Sequence, residues 1–251
     1  MLNPPPIPLG VQSRWALFLD IDGALLDTAS RGLLPILDGL FSKLDGACAL
    51  VSSRKLLFID RVCEWKGRDA AGCHGEQCRF DGDVLSALPH ARAVSKAADQ
   101  LLRRAAKIHR AFVEIKPQSL AFHYGASDLT PCQAEVLAEE AAIRGQGVLK
   151  ILRIRNGFEI KPRGAGKDLA IARFMRESRY ARRIPVFVAD DVSDEAAFRE
   201  VNARGGISIY VGKEKAAAAR FGLRSPAELK EWLHCLLTDR IGHLSLVEPC
   251  H

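Results

Sequence analysis

Three short, continuously apolar runs and a fourth run that contains one serine, Ser208, divide the chain, and each of them is followed by polar or glycine residues. The runs cover residues 15–19, 47–51, 185–189 and 207–211. Short apolar runs bounded by turn residues are typical of strands that are buried on both faces, as strands are in a parallel sheet. We therefore predict that these four segments form strands of one parallel sheet.

Helical patterns alternate with the apolar runs. Residues 33–44 carry a stripe of apolar side chains at helical spacing, and Pro35 falls in the first turn, where proline is tolerated. Residues 168–179 and 194–203 alternate with the later runs in the same way. Strands that alternate with helices predict an α/β fold, here a doubly wound parallel (Rossmann-like) core sheet.

The middle of the chain has a different pattern. Two pairs of strand-like segments flank one helical segment, and in chain order these five cover residues 112–116, 120–124, 131–144, 149–155 and 158–161. Asn156 and Gly157 separate the last two strands, and an Asn-Gly pair in that position is a strong hairpin signal. The pattern predicts an antiparallel α+β unit inserted into the parallel one.

The length of the chain agrees with this division. At 251 residues it is long for one compact domain and short for two full ones, and 48% hydrophobic residues suffice for a sizeable core. We place the inserted cap domain at residues 90–163, which leaves residues 1–89 and 164–251 for the core domain.

The charge balance argues against a nucleic-acid partner. The chain has 36 Lys and Arg residues and 30 Asp and Glu residues, a net charge of +6, with the basic residues spread among the acidic ones. Scattered charges of this kind indicate solvated faces rather than a nucleic-acid footprint. A mild positive bias still favours an anionic small-molecule substrate. The sequence does not predict the oligomeric state.

The cysteines and the N-terminus predict a soluble, cytoplasmic protein. Seven cysteines, an odd number, match no disulfide framework and are expected to be reduced thiols. The Pro-rich N-terminus does not resemble a signal peptide, and no apolar run approaches the length that spans a membrane. We therefore expect no membrane partner.

Polar side chains follow three of the predicted strands at the point where each strand ends. They are Asp20, Asp22, Ser52, Asp190 and Asp191. Because the carboxyl ends of parallel strands share one edge of a sheet, we expect these residues to lie close together. Clustered carboxylates repel one another unless a cation neutralises them, and hard oxygen ligands suit Mg²⁺.

These residue types can support phosphoryl transfer. A carboxylate can attack phosphorus, and a second carboxylate can protonate the leaving oxygen and then activate water. The Ser52 hydroxyl and the Lys167 ammonium can hold phosphoryl oxygens and offset their charge. Each residue alone has an ordinary explanation as a turn, a helix cap or a surface lysine. Their joint occurrence after buried strands or at a helix start favours the functional interpretation.

Four segments resemble the ordered motifs of the haloacid-dehalogenase superfamily: FLDIDGALLD, VSSR, Lys167 and VADDVSDE. The resemblance implies that Asp20 is the nucleophile and Asp22 the general acid/base. It also implies that Ser52 binds phosphate and that Lys167 stabilises the phosphoaspartate. A cap between the second and third motifs resembles the C2 type.

The same resemblance implies a Mg²⁺ site. Its ligands would be Asp20, the backbone carbonyl of Asp22, and Asp190. Asp191 and Asp194 would support the acidic loop.

Further segments are similar to the trehalose-6-phosphate phosphatase family; they cover residues 73–76, 114–116, 120–124, 158–164 and 188–198. This similarity implies a Mg²⁺-dependent phosphoric monoester hydrolase that converts trehalose 6-phosphate to trehalose, the last step of trehalose biosynthesis. The implied sugar-binding residues are His74, Glu114, Lys116, His123 and Glu159.

One departure bears on the sugar. Gly125 stands where the family usually has an arginine after His-Tyr. The alternatives that stay open are a related phosphatase for another sugar phosphate, such as sucrose phosphate or mannosyl-phosphoglycerate, and a catalytically silent regulatory homologue.

Overall fold

The computed structural model describes residues 3–6, 14–21, 33–86, 91–116, 119–154, 156–163, 165–212 and 217–239. Within these ranges the strands are β1 Trp15–Asp20, β2 Cys48–Val51, β3 Ala70–Gly72, β4 Gln77–Phe80, β5 Asp83–Ser86, β6 Phe112–Ile115, β7 Leu120–His123, β8 Leu149–Ile154, β9 Gly157–Pro162, β10 Ile184–Ala189, β11 Ile207–Val211 and β12 Phe221–Leu223. The α-helices are α1 Leu34–Lys43, α2 Leu56–Val62, α3 Ala91–Ala105, α4 Pro131–Ile143, α5 Lys167–Phe174, α6 Glu195–Ala203 and α7 Pro226–Thr238.

The core of the molecule is an eight-stranded sheet in the order β12-β11-β10-β1-β2-β3-β4-β5 among the described residues. The four apolar runs are its strands β1, β2, β10 and β11, which lie side by side and run parallel. The predicted doubly wound α/β core is therefore confirmed. The sheet is not parallel throughout, because β4 and β5 form an antiparallel hairpin at one edge.

A second sheet, in the order β6-β7-β9-β8, is antiparallel. Leu120, Phe122, Phe158 and Ile160 on one face of it share a separate hydrophobic core with residues of α3 and α4. The inserted α+β unit is therefore present in the described residues, and helix α3 is a part of it that the sequence pattern did not predict. The boundaries 90–163 stay a prediction.

The hairpin between β8 and β9 differs by one residue from the predicted one. Ile154 pairs with Gly157, so Gly157 already belongs to β9. Asn156 has a φ of 58°, in the left-handed region that asparagine tolerates. A Cβ atom on Gly157 would lie 2.4 Å from the carbonyl oxygen of Phe122, so the glycine permits close approach of β7.

The helix that begins at Lys167 is shorter than the predicted segment 168–179. It ends at Phe174, and the following residues form turns. These turns bring the ring of Tyr180 against Phe18 and Phe174 in the core, and its hydroxyl donates a hydrogen bond to Asp69 at 2.8 Å. The end of the helix at Phe174 thus accompanies the burial of a large aromatic side chain in the core.

None of the described helices combines the length and the apolar character needed to cross a bilayer. The six cysteines in the described ranges are free thiols.

Candidate active site

The end of the central strand β1 carries a buried ion-pair cluster. Asp20 is the last residue of β1 and is 1% exposed. The Lys167 ammonium donates to Asp20 Oδ2 at 2.7 Å and to Asp194 Oδ2 at 2.9 Å. Lys167 reaches both carboxylates because it is the first residue of α5 and lies across the carboxyl edge of the sheet.

The cluster fixes the charge of its lysine. Burial alone would lower the pKa of Lys167, but the charges of Asp194 and Asp20 and their hydrogen bonds outweigh burial and raise it above the usual value. Lys167 is therefore a permanent ammonium beside Asp20. A fixed cation in a water-poor site is suited to stabilise negative charge that develops on a phosphoryl group.

Ser52 follows β2, the strand beside β1, and is fully buried. Its hydroxyl accepts a hydrogen bond from the backbone N–H of Arg54 at 3.0 Å. Its carbonyl oxygen accepts a hydrogen bond from the backbone N–H of His74 at 3.1 Å. The structure thus places Asp20 at the end of β1 and Ser52 directly after the adjacent strand β2.

The strand β10, on the other side of β1, ends before Asp190 and Asp191. Asp191 accepts a hydrogen bond from the backbone N–H of Ser193 at 2.6 Å and caps the 3₁₀ turn Val192–Asp194. Asp190 has a buried Oδ1 atom that accepts no hydrogen bond from the described residues. Burial raises the pKa of Asp190 to about 6, with the charges of Asp191 and Asp194 adding to the rise and that of Lys167 opposing it.

These properties of Asp190 fit a hard cation. A buried carboxylate oxygen without a donor, close to further carboxylates, is the kind of ligand that Mg²⁺ uses. The described residues contain no group of three or more His, Cys, Asp or Glu side chains placed to hold a metal ion. Asp22, the predicted acid/base and a predicted metal ligand through its carbonyl, lies outside the described residues.

In the cap sheet, three donors meet on one oxygen of Glu159. His74 Nε2 donates to Glu159 Oε1 at 3.0 Å, Ser119 Oγ at 2.9 Å and Lys116 Nζ at 3.2 Å. Glu159 is 3% exposed. The second carboxylate oxygen, Oε2, accepts no hydrogen bond from the described residues.

Opposing forces act on the pKa of Glu159. Burial would raise it, but the hydrogen bond and charge of His74 and the charges of Lys116 and Lys161 hold it well below its usual range. Burial lowers the pKa of His74 against the opposing effect of Glu159. We therefore describe the pair as a neutral imidazole that donates its Nε2–H to a permanent carboxylate.

Glu114 and His123 form a separate pair on the outer part of the cap. His123 Nε2 lies 3.4 Å from Glu114 Oε2, and the His123 ring stacks on Phe112 with 4.6 Å between ring centroids. Glu114 lies opposite Ala121 on β7, and Ala121 lies opposite Glu159 on β9, so both carboxylates stand in one cross-strand row. Glu114 is not hydrogen-bonded to the cluster around Glu159.

Gly125 packs tightly against the β8–β9 turn. The backbone N–H groups of Tyr124 and Gly125 both donate to the carbonyl oxygen of Asn156. A Cβ atom on Gly125 would lie 2.5 Å from Cβ of Asn156. The residue that replaces the arginine of the family pattern therefore occupies a place where a side chain does not fit without a shift of the turn.

Sequence reasoning missed two polar residues near the cap site, Ser119 and Lys161. Both are buried, and Lys161 is two residues after Glu159 on the same face of β9. Burial lowers the pKa of Lys161, while the charges of Glu159 and Asp194 raise it and those of Lys150 and Lys167 lower it. Strand alternation from Glu159 is the signal that could have found Lys161; no sequence signal singles out Ser119.

Comparison with known proteins gives concordant matches. A family model described as trehalose-phosphatase matches residues 18–227. The chain is 35% identical over 224 residues to the probable trehalose-phosphate phosphatase of Sinorhizobium fredii (strain NBRC 101917 / NGR234), covering 86% of this chain and 84% of that protein. It is 31% identical over 241 residues to the trehalose-6-phosphate phosphatase of Escherichia coli (strain K12), covering 91% of this chain and 88% of that protein.

A solved structure with a similar fold is the C-terminal domain of trehalose-6-phosphate phosphatase from C. albicans, with a TM-score of 0.73 at 19% identity. The match covers 94% of this chain and 98% of that chain.

Proposed function

The chain belongs to the trehalose-phosphatase family, and we propose that it hydrolyses trehalose 6-phosphate to trehalose and phosphate through an aspartyl-phosphate on Asp20. The family membership predicted from the motifs is confirmed, and it makes the protein a phosphoric monoester hydrolase. The proposed reaction is the last step of trehalose biosynthesis.

The observation that carries the proposed mechanism is the buried contact of Lys167 with Asp20 and Asp194. A nucleophilic carboxylate at the carboxyl end of the central strand needs a neighbouring cation, because it must meet a phosphate of the same sign. Lys167 supplies that cation at 2.7 Å from Asp20. Asp194 holds the ammonium in place from its other side at 2.9 Å.

In the first step, an Asp20 carboxylate oxygen attacks phosphorus and the bond from phosphorus to the sugar oxygen breaks. Asp22 gives its proton to the leaving sugar oxygen, so trehalose leaves as a neutral alcohol. Lys167 and the Ser52 hydroxyl hold the phosphoryl oxygens during the transfer.

In the second step, Asp22 accepts a proton from a water molecule that attacks the phosphorus of the aspartyl-phosphate. The bond from phosphorus to the Asp20 oxygen breaks, which releases inorganic phosphate and restores both carboxyl groups. A divalent cation, which we propose is Mg²⁺, would neutralise phosphoryl charge when held by Asp20, Asp190 and the carbonyl of Asp22. The buried Oδ1 of Asp190, which accepts no hydrogen bond from the described residues, supports this assignment.

The sugar would lie against the face of the cap sheet that points away from α3 and α4. Glu159 and Glu114 stand there as acceptors for sugar hydroxyls, with Lys116, His123 and His74 beside them. All five roles are proposals that rest on the family resemblance and on the placement of these residues on or facing one sheet.

The test is phosphate release by the purified protein from trehalose 6-phosphate, sucrose 6-phosphate, mannosyl-phosphoglycerate and glucose 6-phosphate, with Mg²⁺ and with EDTA. We expect Mg²⁺-dependent turnover with a clear preference for trehalose 6-phosphate. A preference for another member of the panel would assign the protein to a related phosphatase. The absence of turnover on every substrate would favour a regulatory homologue. The cytoplasmic location stays a prediction that follows from the expected reduced thiols.

A further inference from the structure

His74 belongs to the core, yet its side chain enters the cap. It lies in the turn Cys73–Gly75, directly after the core strand β3. Its Nε2 donates at 3.0 Å to Glu159 on the cap strand β9. This hydrogen bond is buried, and both of its side chains are largely excluded from solvent.

The backbone of this turn is held in an unusual conformation. Cys73, His74 and Gly75 have φ values of 51°, 56° and 85°, so three successive residues lie in the left-handed region. Such a conformation costs free energy for residues other than glycine and persists only where the surroundings impose it. A backbone held in this way commonly serves to aim a side chain.

The surroundings that impose the conformation are the two predicted phosphate-binding elements. The backbone N–H of His74 donates to the carbonyl oxygen of Ser52 at 3.1 Å. A Cβ atom on Gly75 would lie 2.8 Å from Cβ of Ala170 and 3.0 Å from the carbonyl oxygen of Gly166, so the turn packs directly on the start of α5, which carries Lys167. His74 is therefore fixed to both sides of the phosphate pocket.

At its other end the imidazole orients a carboxylate. His74, Lys116 and Ser119 all donate to Oε1 of Glu159, and none of the described residues donates to Oε2. Three donors on one oxygen fix the rotation of the carboxylate and leave the other oxygen available as an acceptor. Lys116 and Ser119 are cap residues, so His74 supplies the one donor of the three that comes from the core.

We propose that His74 is a positioning residue that ties the sugar-recognising Glu159 of the cap to the phosphate pocket of the core. It acts through Glu159 and not by touching the sugar. The consequence is that the hydrogen bond from His74 to Glu159 sets the position of the cap relative to Asp20. Hydrolysis of a sugar phosphate, which contacts the cap, therefore depends on this hydrogen bond. Hydrolysis of a small ester that does not contact the cap is independent of it. The proposal rests on the proposed function for its substrate but not for the contact itself.

The test compares two substrates in two variants. His74→Asn keeps a residue that tolerates the left-handed conformation but is too short to reach Glu159, and His74→Gln restores length and an N–H donor. For trehalose 6-phosphate, we expect kcat/KM to fall about 10- to 100-fold in His74→Asn and to recover in part in His74→Gln. For p-nitrophenyl phosphate, we expect a change of less than about twofold.

The exposed cap histidine gives a matched control, because His109→Asn should leave both substrates unchanged. A double-mutant cycle with Glu159→Ala, which removes the acceptor of the His74 hydrogen bond, completes the kinetic test. If His74 acts through Glu159, its replacement has little further effect in the Glu159→Ala background. An equal loss on both substrates, or a full loss in that background, would overturn the proposal.

Hydrogen exchange separates this outcome from failure of the proposed substrate. We expect amide protons of β9 to exchange faster in His74→Asn than in the wild-type protein and in His109→Asn. If the wild type does not hydrolyse trehalose 6-phosphate but the β9 amides still exchange faster in His74→Asn, the substrate assignment is wrong. The inference that His74 links the core to the cap through Glu159 is then still supported. Unchanged exchange in β9 would count against the tie itself.

Discussion

Asp20 and Lys167 illustrate how burial turns common residue types into a reactive pair. Removed from solvent, the ammonium of Lys167 retains its proton because Asp194 and Asp20 flank it. The carboxylate of Asp20 in turn sits beside a cation that does not titrate near neutral pH. Neither property belongs to the residue alone, and both follow from a distance of less than 3 Å in a low-dielectric site.

Replacement of Asp20 by asparagine tests the nucleophile. Asp20→Asn keeps the shape of the side chain but removes the attacking oxygen anion, so we expect kcat to fall at least about 10³-fold. Phosphate release with saturating Mg²⁺ measures the effect. The exposed Asp83, changed to asparagine in the same way, is the control. Substantial residual Mg²⁺-dependent hydrolysis by Asp20→Asn would exclude this nucleophile.

Glu76 is a buried acid that the proposed mechanism does not use. Its Oε2 accepts no hydrogen bond from the described residues. Burial raises the pKa of Glu76 to about 7, partly opposed by the charge of Arg173. Between about pH 4.5 and about pH 7 the folded protein therefore holds a proton here that the unfolded chain has lost, and the free energy of unfolding falls as the pH rises.

Glu76→Gln should remove this pH dependence, because the amide resembles the protonated acid. We expect the variant to be more stable than the wild type by about 1–3 kcal/mol at about pH 8, with the difference shrinking toward about pH 5. Urea unfolding at several pH values measures it. Glu139→Gln, at an exposed position on α4, should show no such trend. A difference that stays constant across the pH range would contradict the burial argument.

At the scale of elements, the β8–β9 hairpin and the segment after β7 fit each other closely. Asn156 accepts two backbone hydrogen bonds from Tyr124 and Gly125, and its own side chain lies where a Cβ at position 125 would be. The departure from the family pattern at Gly125 is thus matched by the geometry of the neighbouring turn. An arginine introduced here would need the turn to move.

Gly125→Ala tests this fit. The added Cβ would lie 2.5 Å from Cβ of Asn156, so we expect the free energy of unfolding to fall by about 1–3 kcal/mol. Asn156→Gly removes the opposing atoms at a position with φ of 58°, which glycine adopts readily. The double variant should therefore recover most of the loss in urea unfolding. No loss in Gly125→Ala, or no recovery in the double variant, would mean that the two residues do not oppose each other.

In the described part of the chain there are two hydrophobic cores, one packed against each sheet. The core sheet presents the charged groups suited to phosphate, and the face of the cap sheet opposite α3 and α4 presents Glu114, Glu159 and Lys116. The division predicts that phosphate chemistry and sugar recognition are separable by mutation. A net charge of +6 favours the approach of an anionic substrate to the protein.

Glu114→Gln tests this separation away from His74. Glu114 lies on the outer part of the cap and is not bonded to Glu159, so its replacement should raise KM for trehalose 6-phosphate roughly tenfold and leave kcat nearly unchanged. Hydrolysis of p-nitrophenyl phosphate should not change. Glu139→Gln, on the helical side of the cap, is the matched control. A parallel loss on both substrates would place Glu114 in the phosphate chemistry instead.

The sequence by itself determined the four central strands, the helices that begin near Leu34, Lys167 and Glu195, and the inserted α+β unit. It also marked Asp20, Ser52, Lys167 and Asp190 as strand-end or helix-start residues. These features are local, because apolar runs, helical periodicity and turn residues can be recognised within a short stretch of consecutive residues.

Only the tertiary structure decided the rest. Helix α3, the antiparallel β4–β5 edge and the end of α5 depend on packing partners distant in the chain, such as Asp69 for Tyr180. The meeting of His74 with Glu159 joins residues 85 positions apart. Residue types and spacing carry no information about such a contact, because it depends on how two distant segments pack in three dimensions.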